Sequence, residues 1–219
     1  MLVAVIAVIQ QKGGVGKSTI TANLAAELVH AKHEVILLDL DPQQSLTHWA
    51  AMGDGLLKRR VLAVEVDGRK PQALKAAVDQ AKREADFVLL DSPPGFPEAG
   101  MLAALLADVA LLPVTPSPLD LMAAKQALDL MREAQKQRGG KKPAVAFVPS
   151  KVVQSTTLGR DLPANLKELG ELVLPGISQR IAIAEAVLEG LTVREYFPES
   201  ESVVEFQALA RAVEKMVKS

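Results

Sequence analysis

Gln10-Gln11-Lys12-Gly13-Gly14-Val15-Gly16-Lys17-Ser18-Thr19 is the stretch on which the fold turns. An apolar run, Leu2–Ile9, precedes it; after it, Ile20, Leu24, Leu28 and Ala31 recur at helical spacing, predicting a helix over Lys17–Ala31. Strand, glycine-rich loop, helix is the context a phosphate-binding loop requires. Gly13-x-x-Gly16-Lys17-Ser18 fits the end of the pattern G-x-x-x-x-G-K-S/T, with one departure. Gln11 stands where the first glycine would fall, and a second lysine, Lys12, precedes the double glycine. The amides from Gly13 to Ser18 can converge on phosphates, and the helix directs its positive end to the same place. Lys17 is then the candidate bridge between terminal phosphate oxygens, and Ser18 the hydroxyl offered to Mg²⁺. The plainer alternative is a glycine turn into an ordinary helix.

The rest of the chain agrees with a nucleotide domain. At 219 residues it predicts one domain, 1–219, with a substantial core. Formal net charge is -1, so no global field draws the chain to nucleic acid or anionic lipid, and any such affinity must be local. The sequence has no cysteine, which excludes disulfides, iron–sulfur ligation and thiol nucleophiles. Leu2–Ile9 is too short to span a membrane and lacks the flanks of a leader.

Further strands are predicted at 34–39, 61–66, 86–91, 109–114, 144–149 and 172–174. Helices are predicted at 45–52, 71–83, 98–106, 119–137, 158–169, 181–188 and 202–217, with 53–60 as a turn. Pro71 suits a first helical turn, and Gly139-Gly140 ends the long helix. This alternation predicts an α/β fold: a doubly wound, mostly parallel sheet with helices on both faces. Ligands of such sheets bind beyond the carboxyl ends of the strands, and Gln11–Ser18, Asp39–Gln43 and Asp91–Gly95 all fall there.

Asp91 ends an apolar strand and is a candidate for orienting the metal, through water. Asp39 and Asp41 lie two apart, so both can face the phosphate side. One could orient the attacking water and the other support the metal shell; Pro42 stiffens the loop and favours Asp41 for the water. Either could instead cap the turn. The candidate set is thus Lys12, Lys17 and Asp41 for catalysis, Lys12 to Thr19 (with Gly13, Gly14, Val15 and Gly16) for nucleotide, and Ser18, Asp39 and Asp91 for metal.

Lys12-Gly13-Gly14-Val15-Gly16-Lys17-Ser18-Thr19 resembles the deviant Walker A motif of the ParA/MinD ATPases. Asp39-x-Asp41-Pro42-Gln43 is similar to their second motif, and Asp91-Ser92-Pro93-Pro94-Gly95 to their Walker B segment. Pro113-Val114-Thr115-Pro116-Ser117-Pro118-Leu119-Asp120, and Ile177-Ser178-Gln179-Arg180 with Glu185 and Gly190, resemble the small plasmid-partition ParA proteins of the ParF type. The likeness runs from Met1 to about Phe197, with no DNA-binding extension before the first strand, as in that branch. The resemblance implies ATP and Mg²⁺ as cofactors and slow, partner-stimulated ATP hydrolysis. It also gives Lys12 a role: reaching across a homodimer to the partner's nucleotide, so that ATP joins two copies and hydrolysis releases them.

The same resemblance implies non-specific DNA binding, a ParB-like or other small adaptor, and a cytoplasmic, nucleoid-associated protein. The cargo stays open between plasmid, chromosome, organelle-like body and protein cluster. Lys151, Arg160, Lys167 and Arg180 are the candidate DNA contacts. Lys125, Arg132, Lys136, Arg138, Lys141 and Lys142 form a second basic group, which could equally be a solvated helix face. A MinD-like membrane-surface ATPase is the competing class; the last helix, with Glu205 and Glu214 among its basic residues, reads instead as packed on its own domain. A metabolic enzyme on this fold is a third. His30, His33 and His48 read as surface or packing residues, and Trp49 as a core anchor.

Overall fold

The computed structural model describes residues 3–68, 71–140 and 142–218; Met1 and Leu2 of the apolar run, and Lys141 of the second basic group, lie outside the described residues. Seven strands form one sheet in the order β3-β2-β4-β1-β5-β6-β7. They are β1 (Ala4–Val8), β2 (Val35–Asp39), β3 (Val61–Ala63), β4 (Phe87–Asp91), β5 (Val109–Val114), β6 (Ala144–Pro149) and β7 (Leu172–Val173), every pair parallel. Five of these end in loops that meet at one edge of the sheet, and β1 lies at its centre between β4 and β5.

Continuous apolar strands make sense here because both faces are covered. Ala4, Ile6 and Val8 of β1 join one core, while Val5 and Ala7 join the other. On the first face lie α1 (Lys17–His30), α2 (Ser45–Met52), α7 (Ile181–Leu188), the single turn α8 (Val193–Tyr196) and α9 (Glu201–Lys218). On the second lie α3 (Gln72–Ala81), α4 (Pro97–Leu106), α5 (Pro118–Gln137) and α6 (Thr157–Lys167). Crossovers toward β3 run over the first face and those toward β7 over the second, as right-handed connection requires.

The predicted elements are present, with shifts at their ends. The strand predicted to Val66 stops at Ala63, because its partner β2 ends at Asp39, whose carbonyl accepts the last bond from the Val64 amide at 2.8 Å. Residues 56–59 tighten into a 3₁₀ turn, and α8 was not anticipated. The last helix packs on its own domain: Val203, Phe206, Leu209 and Val213 are buried in the first-face core. Each such side chain contributes about 1.5–3 kcal/mol relative to exposure. That face is therefore taken by the core. Among the described residues no helix is long and apolar enough to cross a membrane.

Candidate functional site

The loop between β1 and α1 is shaped by its glycines. Gly16, the residue before α1, has φ 93°, and a Cβ there would stand 2.8 Å from the Ser150 hydroxyl oxygen. Glycine is thus required for conformation and for space. Gln11, in place of the first glycine of the pattern, ties the loop down: its carbonyl accepts from the Gly95 amide at 2.7 Å. The buried Gln10 donates its side-chain amide to the Pro113 carbonyl at 3.3 Å, linking the loop to the end of β5.

Lys17 is buried, and its ammonium rests on the Lys12 carbonyl at 3.2 Å. Burial pulls its pKa below the ordinary lysine value, and the nearby Asp91 and Asp41 carboxylates resist that shift. Val15 is buried beneath the loop, while Gly13 and Gly14 are exposed and Ser18 and Thr19 partly so, leaving backbone open to an anion. All three predicted loops do meet at one edge.

Asp39 and Asp91 are register partners on adjacent strands, both buried and both on the α1 face by strand parity. Their environments differ. Asp39 accepts bonds from the Asp41 amide (3.1 Å) and from the amide and hydroxyl of Thr47 (both 2.8 Å). It therefore anchors the turn that carries Asp41 and the start of α2. Asp41, partly exposed, closes that turn by accepting the Gln43 amide at 2.9 Å.

Asp91 is less well satisfied. One oxygen takes a 3.4 Å bond from the Thr21 hydroxyl; the other, Oδ2, is buried without a partner. Burial pushes its pKa up to about 7, and the Asp39 charge adds to the rise, against hydrogen bonding from Ser18 and Thr21 and the Lys17 charge. An orphaned buried carboxylate oxygen costs about 1–3 kcal/mol unless something occupies it. With the Ser18 hydroxyl beside it, this corner fits a divalent cation. Among the described residues no cluster of three or more acidic, His or Cys side chains forms a closed cage. Mg²⁺ suits such a partial site, since it takes few protein ligands and completes its shell with water and phosphate. Ser18 and Asp91 would hold it, with Asp39 acting through its charge; bound there, it would neutralise charge on the phosphates.

Two further loops complete the edge. The Lys12 ammonium forms an ion pair with Asp120 at the start of α5. Asp120 is almost fully buried, Lys12 is 40 % exposed, and the Thr115 hydroxyl also donates to Asp120. The second is Ser150-Lys151, after β6. Lys151 has φ 52° and donates to the Gly14 carbonyl at 2.7 Å. A cavity of about 710 Å³ opens beside the loop, with Ile20, Ile177, Ile183 and Val187 as an apolar wall and Lys151 and Gln179 on its rim. A second, of about 470 Å³, lies over Lys12, Gly13, Gly14 and Asp120 and shares Lys151, Val153 and Gln179 with the first.

Of the four candidate DNA contacts, Lys151 and Arg180 border the same cavity. Lys151 lies on the phosphate loop. Arg180 pairs with Glu201 (2.6 Å) and Glu205 (3.2 Å) and borders the larger cavity. Arg160 bonds to the Ser155 carbonyl (3.1 Å) and Thr157 hydroxyl (3.4 Å) at the start of α6, and Lys167 stands at that helix's other end. The second basic group is dispersed. Arg138 donates to carbonyls at the end of α4, Lys142 pairs with Asp108 at 2.7 Å, and Arg132 with Asp129 at 3.6 Å. Trp49 is a core anchor, donating to the Leu191 carbonyl at 3.1 Å, and His33 packs edge-on against Phe87.

A parallel α/β sheet with an anion-binding loop, an orphaned acid beside a helix-borne serine, and an adjoining apolar cavity defines a nucleotide-binding domain of the P-loop class. Residues 6–193 match the CobQ/CobB/MinD/ParA nucleotide binding domain, and the chain belongs to that family, as an ATPase of ParA/MinD type. Its cofactors are ATP and Mg²⁺. It is 34% identical over 191 residues to the maintenance of carboxysome distribution protein A of Halothiobacillus neapolitanus, covering 86% of this chain and 85% of that one. It is 30% identical over 241 residues to the chromosome-partitioning ATPase Soj of Thermus thermophilus, covering 95% and 94%. In fold it matches the septum site-determining protein MinD of Pyrococcus horikoshii, solved with Mg-ADP, at a TM-score of 0.78 and 23% identity over 98% and 97% of the two chains.

Proposed function

We propose that this chain is a partition or positioning ATPase that forms homodimers with ATP, binds DNA without sequence preference in that state, and is released when an adaptor stimulates hydrolysis. The observation that carries the reading is the placement of Lys12. It stands at the open mouth of the site, beside the buried Lys17, 40 % exposed and paired with Asp120. Leu119 (67 % exposed) and Met122 (64 %) flank Asp120, and Val153 and Leu158 border the same cavity. Exposed apolar side chains around a nucleotide mouth suit a self-association face. Two ATP molecules meeting there concentrate negative charge, which a lysine from each partner offsets, as an arginine supplied in trans does elsewhere.

Within one copy, Lys17 and the loop amides hold the phosphates, Ser18 and Asp91 hold Mg²⁺, and Asp41 orients the attacking water. Turnover is slow until the adaptor, ParB-like or a small companion, acts. The relatives named for chromosome partitioning and for carboxysome distribution support a role in moving cargo, and DNA binding rests on that kinship. Lys12→Ala should bind ATP as the parent does and fail to dimerise with it. Parent-like ATP-dependent dimers of that variant in light scattering would overturn the trans role. ATP-dependent retention of DNA that weakens with salt is the expected companion result; no retention at low salt would remove DNA from the proposal.

A further inference from the structure

Thr21 lies one helical turn beyond Lys17 on α1, so the two side chains share one face of the helix. It is fully buried, and its hydroxyl donates to two acceptors: the Lys17 carbonyl at 3.0 Å and Asp91 Oδ1 at 3.4 Å, the second across 70 residues of sequence. A hydroxyl has one hydrogen, which these two acceptors share. They do not need it equally. In a helix that begins at Lys17, the Lys17 carbonyl already takes the Thr21 amide through the backbone. Asp91 is a buried carboxylate at the end of β4, and its other oxygen, Oδ2, has no partner. An ionised carboxylate is also the stronger acceptor. The branched Cβ of a helical threonine leaves few χ1 choices, and bonding back to the carbonyl four residues earlier is one of them. That bond aims the hydroxyl toward the start of α1, where Ser18 stands.

We propose that Thr21 is a positioning residue for the metal: its hydroxyl holds Asp91 by Oδ1, so that Oδ2 is the oxygen presented to the cation and its water shell. The proposal rests on the reading of Ser18 and Asp91 as the residues that hold Mg²⁺. Asp39, the register partner of Asp91, shows the contrast. Its Oδ1 takes the Asp41 amide and its Oδ2 takes the amide and hydroxyl of Thr47, so its own loop and α2 engage both oxygens. Asp91 is engaged at one oxygen by a side chain from a different element and left open at the other. The terminal torsion of an aspartate is broad and roughly two-fold, so a bond to one oxygen selects the orientation of the group. A ligand is held in productive geometry by such a supporting bond. Thr21 acts through Asp91, and binding of nucleotide without metal does not call on it.

The test uses the full chain and measures ADP binding by calorimetry, with Mg²⁺ and with a chelator, in Thr21→Val, Thr21→Ser and Asp91→Asn. Valine keeps the branched shape and drops the hydroxyl. The gain in ADP affinity on adding Mg²⁺ should shrink about fivefold in Thr21→Val, the scale of one modest hydrogen bond, while metal-free affinity stays within about twofold of the parent. Thr21→Ser keeps the hydroxyl and should restore most of the gain. Thr21→Ala, which drops the hydroxyl without adding a methyl in its place, should repeat the valine result if valine disturbs the buried site. A parent-like Mg²⁺ gain in the valine and alanine variants, with the gain lost in Asp91→Asn, overturns the proposal and leaves the metal reading standing. A parent-like gain in Asp91→Asn overturns both. Equal weakening of ADP with and without Mg²⁺, or a serine variant that restores nothing, makes Thr21 a packing residue of α1 and overturns the proposal alone.

Discussion

The two halves of the carboxyl edge are built differently. On the side of β1, β2 and β4, Lys17, Asp39 and Asp91 are buried, the lysine at the start of α1 and the two acids at the ends of β2 and β4. On the side of β5 and β6, Lys12 pairs with Asp120, Lys151 donates to the Gly14 carbonyl, and Leu119 and Met122 are exposed. Burial acts in opposite senses on the charges of the first half: it lowers the pKa of Lys17 and raises that of Asp91 to about 7. Such a pair is strained until a phosphate and a cation arrive. In the second half the lysines are exposed or partly so, with the buried Asp120 beneath Lys12. The function proposed above places the chemistry on the rigid half and dimer contacts on the open one.

Breaking the rigid half should have the largest effect. Lys17→Ala removes the buried cation that the terminal phosphates would meet, and ATP hydrolysis should fall by about 10²–10³-fold. Phosphate release within tenfold of the parent would mean that the loop is not where the chemistry lies. Next comes the pH dependence of Asp91. Its folded carboxyl holds a proton up to about pH 7, whereas the unfolded one releases it near 3.8. Between those values the folded state binds more protons, so the chain free of nucleotide and metal should lose stability as pH rises through the window. The shift bounds the effect at ~4 kcal/mol. Asp91→Asn should flatten that slope in denaturant titrations across the window, and an unchanged slope would assign the effect to other groups.

The smallest effect belongs to the open half. Asp120→Asn removes the charge that holds Lys12 within its own chain. Because Lys12 is partly exposed, solvent screens the pair, and its release should lower the protein concentration needed for ATP-dependent dimers by only about two- to fivefold. Light scattering across a dilution series reads this directly. A requirement for more protein instead would show that Asp120 supports the dimer rather than competing with it.

The rigid half was legible in the sequence, and of the open half chiefly Lys12. Gly13–Ser18, Asp39 and Asp91 each sit at the end of an apolar strand, and strand order carries them to one edge whatever the surface does. The two halves also differ in how far apart in sequence their contacts lie. Lys12 meets Asp120 across 108 residues, and Lys151 meets Gly14 across 137. As isolated basic residues, Lys151 and Arg180 look like DNA contacts; folding turns the first onto a glycine loop and the second onto Glu201 and Glu205. Helix α1 shows the same limit. Ile20, Leu24, Leu28 and Ala31 announce one apolar face, but the opposite face is buried too. Beside the apolar face, Glu27 takes two bonds from Arg194, at 2.8 and 2.6 Å, and Asn23 accepts the Val193 amide at 2.8 Å, ordering the single turn α8.

By itself, then, the sequence determined a parallel nucleotide-binding sheet and the meeting of its glycine loop and strand-end acids at one edge. Those follow from local rules: glycine where φ is positive, apolar runs where both faces are covered, and carboxylates at strand ends. Only the tertiary structure decided which lysine does what. Lys17 is buried against the loop, Lys12 is held by Asp120, and Lys151 joins the phosphate loop to the cavity beside it. All three are the same residue type with the same intrinsic charge. What separates them is desolvation and the partner each one meets, and both depend on chain segments that local pattern does not connect.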